Sequence, residues 1–138
     1  MQVHFDPTAF LADPELLSEL EKAAAKIDCP DDRALFHQGD PALGLYIVRD
    51  GTATVTLKSE SDSTIMKVDV SAGSLLGLPG VLGNQPYSLT AVAHKGAKVS
   101  FVGIKDFSAL METHPTLSLK VLQVLAAEVR TARRALYE

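Results

Sequence analysis

From about residue 25 to about residue 104 the apolar residues come in short runs, each closed by a turn, and no helical period persists across that span. Ala53, Val55 and Leu57 alternate with Thr52, Thr54 and Thr56. Met66, Val68 and Val70 alternate with Lys67 and Asp69. A period of two puts one set of side chains on each face of a strand, so these runs are strands with one apolar face. KIDC, ALFHQ, SLTAVAH and AKVSFVGI read the same way, and PDD, Gly39-Asp40-Pro41 and SAG punctuate them. Between GLYIVR and TATVTL stands Asp50-Gly51. That pair predicts a hairpin, because both central positions of the favoured turn need positive φ. Several short strands at this spacing predict an antiparallel sandwich or roll. The chain has 138 residues, 46% of them hydrophobic, which suits one domain, 1–138, with a proper core.

Helical patterns flank the strands. ADPELLSELEKAAAK (12–26) reads as a helix with Asp13 as N-cap, Pro14 at the first position and Leu16, Leu17 and Leu20 as its apolar stripe. KDFSALMETH predicts a short helix, and Pro115 restarts the chain into a long one, so helices occupy about 105–138. Along the long helix Leu122, Leu125, Val129, Ala132 and Leu136 are spaced 3, 4, 3, 4, the spacing of a coiled-coil seam. Leu117, Val121 and Val124 form a second stripe. Two stripes need two partners. One is expected on the roll and the other on the same helix of a second subunit, giving a homodimer.

Composition narrows the chemistry. The net charge of −4 lacks the basic footprint of a nucleic-acid binder, and the arginines of RTARRAL (130–136) read as a solvated helix face. No apolar run approaches the ~18 residues of a membrane span. MQVHFDPTAF has no secretory pattern, so the expectation is a soluble, cytoplasmic protein. The lone Cys29 makes no internal disulfide or four-thiolate cluster and reads as a small buried side chain. His4, His37, His94 and His114 show no metal-ligand spacing, so no metal or other cofactor is expected. Ser71, Ser74 and Ser88 lie outside a nucleophile-elbow context and His94 has no evident acidic partner, so no catalytic residue is assigned and a non-enzyme is expected.

The order helix, roll, short helix, long helix, with LFHQGDPALGLYIVRDGTATV (35–55), SAGSLLGLPGVLGNQPYSLTAVA (71–93) and VGIKDF (102–107), resembles the cyclic-nucleotide-binding fold of the Crp/Fnr family of bacterial transcription regulators. Gly39-Asp40, Tyr46, Gly51 and Gly77 fall where that family places them. The resemblance implies a mainly β protein with flanking helices. Its core is a double-stranded β-helix, or jelly roll, over about 25–104, followed by a long C-terminal dimerisation helix.

The resemblance also implies that residues 75–89 correspond to the phosphate-binding cassette. The nucleotide-binding version reads like F-G-E-L-A, a short helical turn, then P-R-A-A-T. Here Leu76-Gly77-Leu78-Pro79-Gly80 and Pro86-Tyr87-Ser88-Leu89-Thr90 align without a gap. Leu78 replaces the glutamate that holds the ribose, and Tyr87 replaces the arginine that pairs the phosphate. Charge-assisted hydrogen bonds are worth roughly 1.5–3 kcal/mol each, so the expectation is no strong binding of cyclic AMP or cyclic GMP. The degenerate site comprises Gly77, Leu78, Gly80, Pro86, Tyr87, Ser88 and Leu89, with Val81 and Leu82 adding to an apolar lining. Family regulators continue past the long helix into a helix-turn-helix; this sequence stops at Glu138, so direct DNA binding is not expected. Three readings stay open: a sensor of an unidentified small ligand, a ligand-free dimerisation or adaptor module acting on protein partners, and a cyclic-nucleotide binder of non-standard mode. A sensor should keep a cavity near Tyr87 under the long helix, reached by Arg133 or Arg134; an adaptor should have that space packed.

Overall fold

A computed structural model describes residues 6–137, and side chains through Arg134. His4 and the side chain of Leu136 lie outside the described residues. After a 3₁₀ turn (Pro7–Phe10) come α1 (Pro14–Glu21), β1 (Ala25–Asp28), β2 (Arg33–Phe36), β3 (Gly44–Asp50), β4 (Thr52–Lys58), β5 (Thr64–Ser71), β6 (Leu75–Leu76), α2 (Leu78–Gly83), β7 (Thr90–Ala93), β8 (Lys98–Gly103), α3 (Ile104–Thr113) and α4 (Pro115–Tyr137). The strands form two four-stranded antiparallel sheets, ordered β1-β8-β3-β6 and β2-β7-β4-β5. This is the jelly roll with flanking helices and a long last helix that the sequence predicts.

Two core regions lie on either side of the first sheet. Between the sheets pack Phe36, Val48, Ala53, Val55, Met66, Val70, Leu76 and Ala91. On the outer side, Leu45, Ile47 and Val102 meet Leu16 and Leu20 of α1, Phe107 of α3, and Leu117, Val121 and Val124 of α4. β3 is therefore covered on both faces, which is why GLYIV is apolar without interruption. β4 and β5 face the core on one side only and keep their alternation.

Two local expectations are corrected. The first helix ends at Glu21, not at Lys26, because Ala25–Asp28 pair with Lys98–Phe101 of β8. Strand pairing overrides the helix preference of the alanines. Its N-terminus follows expectation, with Asp13 Oδ2 accepting from the amides of Glu15 (2.9 Å) and Leu16 (3.2 Å). Asp50-Gly51 joins no hairpin. β3 belongs to the first sheet and β4 to the second, so Gly51 is the corner where the chain changes sheets. Only Gly51 has positive φ there, +81°, and a Cβ on it would stand 2.9 Å from Ala97 Cα. The positive φ was legible in the Asp-Gly pair, but the crossing was not.

The second stripe of α4 is buried on the roll, as expected: Leu117, Val121 and Val124 continue into Glu128 and Thr131. The seam is open. Leu122 is 52% and Val129 51% exposed, with Leu125 and Ala132 half-buried. Lys120 Nζ bridges to Asp13 Oδ2 (2.8 Å) and Glu15 Oε2 (3.1 Å), tying α4 to the start of α1. No helix among the described residues is long and apolar enough to cross a membrane.

Candidate functional site

The cassette is a strand, a corner and a single short helix. Gly77 follows β6 with φ +100°, and a Cβ there would stand 3.1 Å from the Tyr87 ring and 3.2 Å from the Gly44 carbonyl oxygen. α2 then closes in a left-handed Asn84, with the Gln85 amide donating to Gly80 O (2.9 Å). Gly80 is buried where a Cβ would meet Ala42 at 3.0 Å. The next loop exposes Pro86 and Ser88 and turns Tyr87 inward. Backbone bonds pin that residue from both sides: its amide donates to Asp40 O (2.9 Å) and its carbonyl accepts from Gly39 N (2.9 Å). The Gly39-Asp40 turn therefore acts as the clamp for residue 87.

The two residues that replace the polar grip go separate ways. Tyr87 is 4% exposed, with its ring stacked on Phe36 at a centroid distance of 4.0 Å. Its hydroxyl donates to Gly44 O (2.7 Å) and accepts from Gly44 N (3.3 Å). Burial pushes its pKa above the ordinary tyrosine range, so the phenol stays a neutral donor. Leu78 is fully buried, but in the helical core with Leu16, Leu45 and Leu117. Val81 packs against the same cluster, and Leu82 is 41% exposed. Of the sequence-assigned cassette residues, Ser88 and Leu89 border a cavity, while Gly77 and Tyr87 border a small void beneath it.

That cavity, about 430 Å³, lies between the roll and α4. Leu57 of β4, Met66 of β5, Pro79 of α2 and Leu89 make one side; Glu128, Val129, Ala132 and Arg133 of α4 make the other. Glu128 is the residue that sequence reasoning missed. Both carboxylate oxygens are buried without a hydrogen-bond partner among the described residues. Desolvation raises its pKa well above the usual carboxylate range, so burial favours the protonated, uncharged acid. The signal was present: Leu117, Val121, Val124, Glu128 and Thr131 are spaced 4, 3, 4, 3, which puts an acid on an otherwise apolar buried stripe.

The remaining candidates do not assemble. Cys29 is buried among Ala93, Ala97 and Val99. No three metal-ligating side chains cluster among the described residues. His94 does have an acidic neighbour, contrary to expectation. Asp69 Oδ1 lies 3.9 Å from its Nε2, and the Thr54 hydroxyl donates to the same oxygen at 2.6 Å. Strand pairing of β4 with both β5 and β7 brings together residues that are 25 positions apart. Thr52 and Thr54 fill the ring's hydrogen bonds, so this is a bonded strand-end histidine without a serine beside it. Ser74 is fully buried in the turn before β6.

Residues 26–114, well over half of the chain, match the family model for the cyclic nucleotide-binding domain. The chain belongs to this family. Among solved structures, the catabolite activator protein of Thermus thermophilus is 22% identical with a TM-score of 0.76, over 95% of this chain and 62% of that one. A transcriptional regulator of Thermotoga maritima is 20% identical with a TM-score of 0.72, over 88% of this chain and 95% of that one. At these identities they share the fold. A curated relative, lysophospholipase NTE1 of Chaetomium globosum, is 22% identical over 117 residues. The match takes in 85% of this chain but only 8% of that protein, so this cyclic nucleotide-binding domain spans a small part of the relative's length.

Proposed function

We propose that this domain is a non-enzymatic, Crp/Fnr-type sensor module whose cassette has given up the nucleotide for a more apolar ligand. One observation carries the reading. The residue aligned with the phosphate-pairing arginine, Tyr87, is packed on Phe36 and bonded to Gly44, while about 430 Å³ beside it stays open under α4. The base of the cassette is filled, as in an adaptor, yet the space reached by Ser88, Leu89 and Arg133 is a cavity, as in a sensor. Helix α4 lines that cavity and also carries the exposed seam of Leu122 and Val129. A ligand that moves α4 therefore moves the surface on which a second copy would pair.

The test is a calorimetric titration of the protein with cyclic AMP and cyclic GMP. No heat at millimolar nucleotide is the expected result. One-to-one binding at micromolar concentration overturns the reading, because backbone amides and Ser88 would then suffice to hold the phosphate.

A further inference from the structure

We propose that the cavity under α4 takes an uncharged, largely apolar molecule whose carbonyl or amide head hydrogen-bonds to the Glu128 carboxyl. The proposal rests on the sensor reading of the same cavity and adds the chemical class of its ligand. Pro79, Ser88, Leu89 and Glu128 border both the open cavity and the small void beside Tyr87 and Phe36, so they form the partition between the two. Both Glu128 carboxylate oxygens are buried in that partition without a hydrogen-bond partner among the described residues. The void measures about 10 Å³, the lower limit for a single water, and aromatic and aliphatic side chains surround most of it. Unmade hydrogen bonds to a buried polar group are costly, so a ligand that supplies them gains affinity from a deficit already present in the empty protein.

The lining selects among head groups. Leu57, Met66, Pro79, Leu89, Val129 and Ala132 accept an apolar body. A cationic head would have to ionise Glu128 and bury an ion pair, with heavy desolvation, past the positive Arg133 at the same cavity. An anionic head would pair with Arg133, which is solvent-exposed and therefore screened, and would leave Glu128 unpartnered. A neutral amide meets a protonated carboxyl as donor to acceptor and acceptor to donor, with no charge buried.

The experiment compares octanamide, octanoate and octylamine, equal in chain length, by calorimetry at pH 7 against the wild type, Glu128→Gln, Glu128→Leu and Arg133→Ala. Thermal melts establish that each variant is folded. Octanamide is expected to bind the wild type at least tenfold more tightly than either charged analogue. Glu128→Gln, which still donates and accepts, should stay within about threefold, and Glu128→Leu should lose at least tenfold. Preference for octylamine with loss in Glu128→Gln, or for octanoate with loss in Arg133→Ala, overturns the neutral head while the sensor reading stands. Equal binding of octanamide to Glu128→Leu overturns the role of the carboxyl. If none of the three binds the wild type, this ligand class falls; cyclic nucleotide binding in the parallel titration would overturn the sensor reading itself.

Discussion

Glu128 and Tyr87 solve opposite problems at neighbouring positions. Tyr87 brings a polar atom into the core and satisfies it twice on Gly44. Glu128 brings two, and neither finds a partner among the described residues. Removing the hydroxyl in Tyr87→Phe leaves buried backbone groups of Gly44 unpaired and is expected to cost about 1–3 kcal/mol in denaturant unfolding. Tyr87→Ala also opens the stack on Phe36 and should cost about 3–5 kcal/mol. For Glu128 the linkage runs against ordinary acid denaturation. Its folded-state pKa is raised above the unfolded value near 4.5, so the folded state holds the proton longer. Stability contributed at low pH is therefore lost as pH rises from about 4.5 toward the folded pKa. Unfolding free energies measured from pH 4 to 8 should fall in the wild type relative to Glu128→Gln, the two curves converging at the acid end. Asp13 works in the other direction, its pKa lowered chiefly by the Lys120 hydrogen bond, and that contribution fades only below the usual carboxylate range.

At the scale of elements, the cassette and the last helix cannot be edited independently. Leu78 looks like a site residue in the alignment but sits in the helical core with Leu16, Leu45 and Leu117. Restoring the nucleotide grip with Leu78→Glu and Tyr87→Arg should therefore unfold the domain or cost well over 3 kcal/mol before it confers binding, read as a collapsed thermal transition. Helix α4 divides its surface between two tasks. One stripe, Leu117 to Thr131, closes the roll; on the other, Leu122 and Val129 are half exposed, and Val129 with Ala132 also lines the cavity beside the roll. We expect that second stripe to pair with its copy. Sedimentation should give a dimer for the wild type and a monomer for Leu122→Lys with Val129→Lys, with the single-chain fold changed by no more than about 0.5 kcal/mol because both sites are exposed. A wild type that sediments as a monomer at all concentrations would remove the seam from the mechanism.

Across the whole molecule, what the sequence determined is what local physics determines. Period-two alternation placed β4 and β5 and oriented Met66, Val70, Ala53 and Val55 inward, since a pleated strand leaves side chains no other choice. Asp13-Pro14 set the start of α1, and the stripe of Leu117, Val121 and Val124 announced the face of α4 that closes on the roll. The resemblance to the family rested in part on Gly39, Gly51 and Gly77, and each stands at a positive φ that few other residues adopt. What only the tertiary structure decided are the relations between segments distant along the chain. The sheet crossing at Gly51, the strand taken from the end of the first helix and the pairing of His94 with Asp69 all depend on which strands become neighbours. The division of Leu78 and Tyr87 between two cores, and the cavity beside a Glu128 that has no partner among the described residues, depend on how the cassette meets α4. A local pattern states which face of an element is apolar. Whether two such faces close on each other or leave a gap is a matter of volumes and distances between elements, and those exist only once the chain has packed.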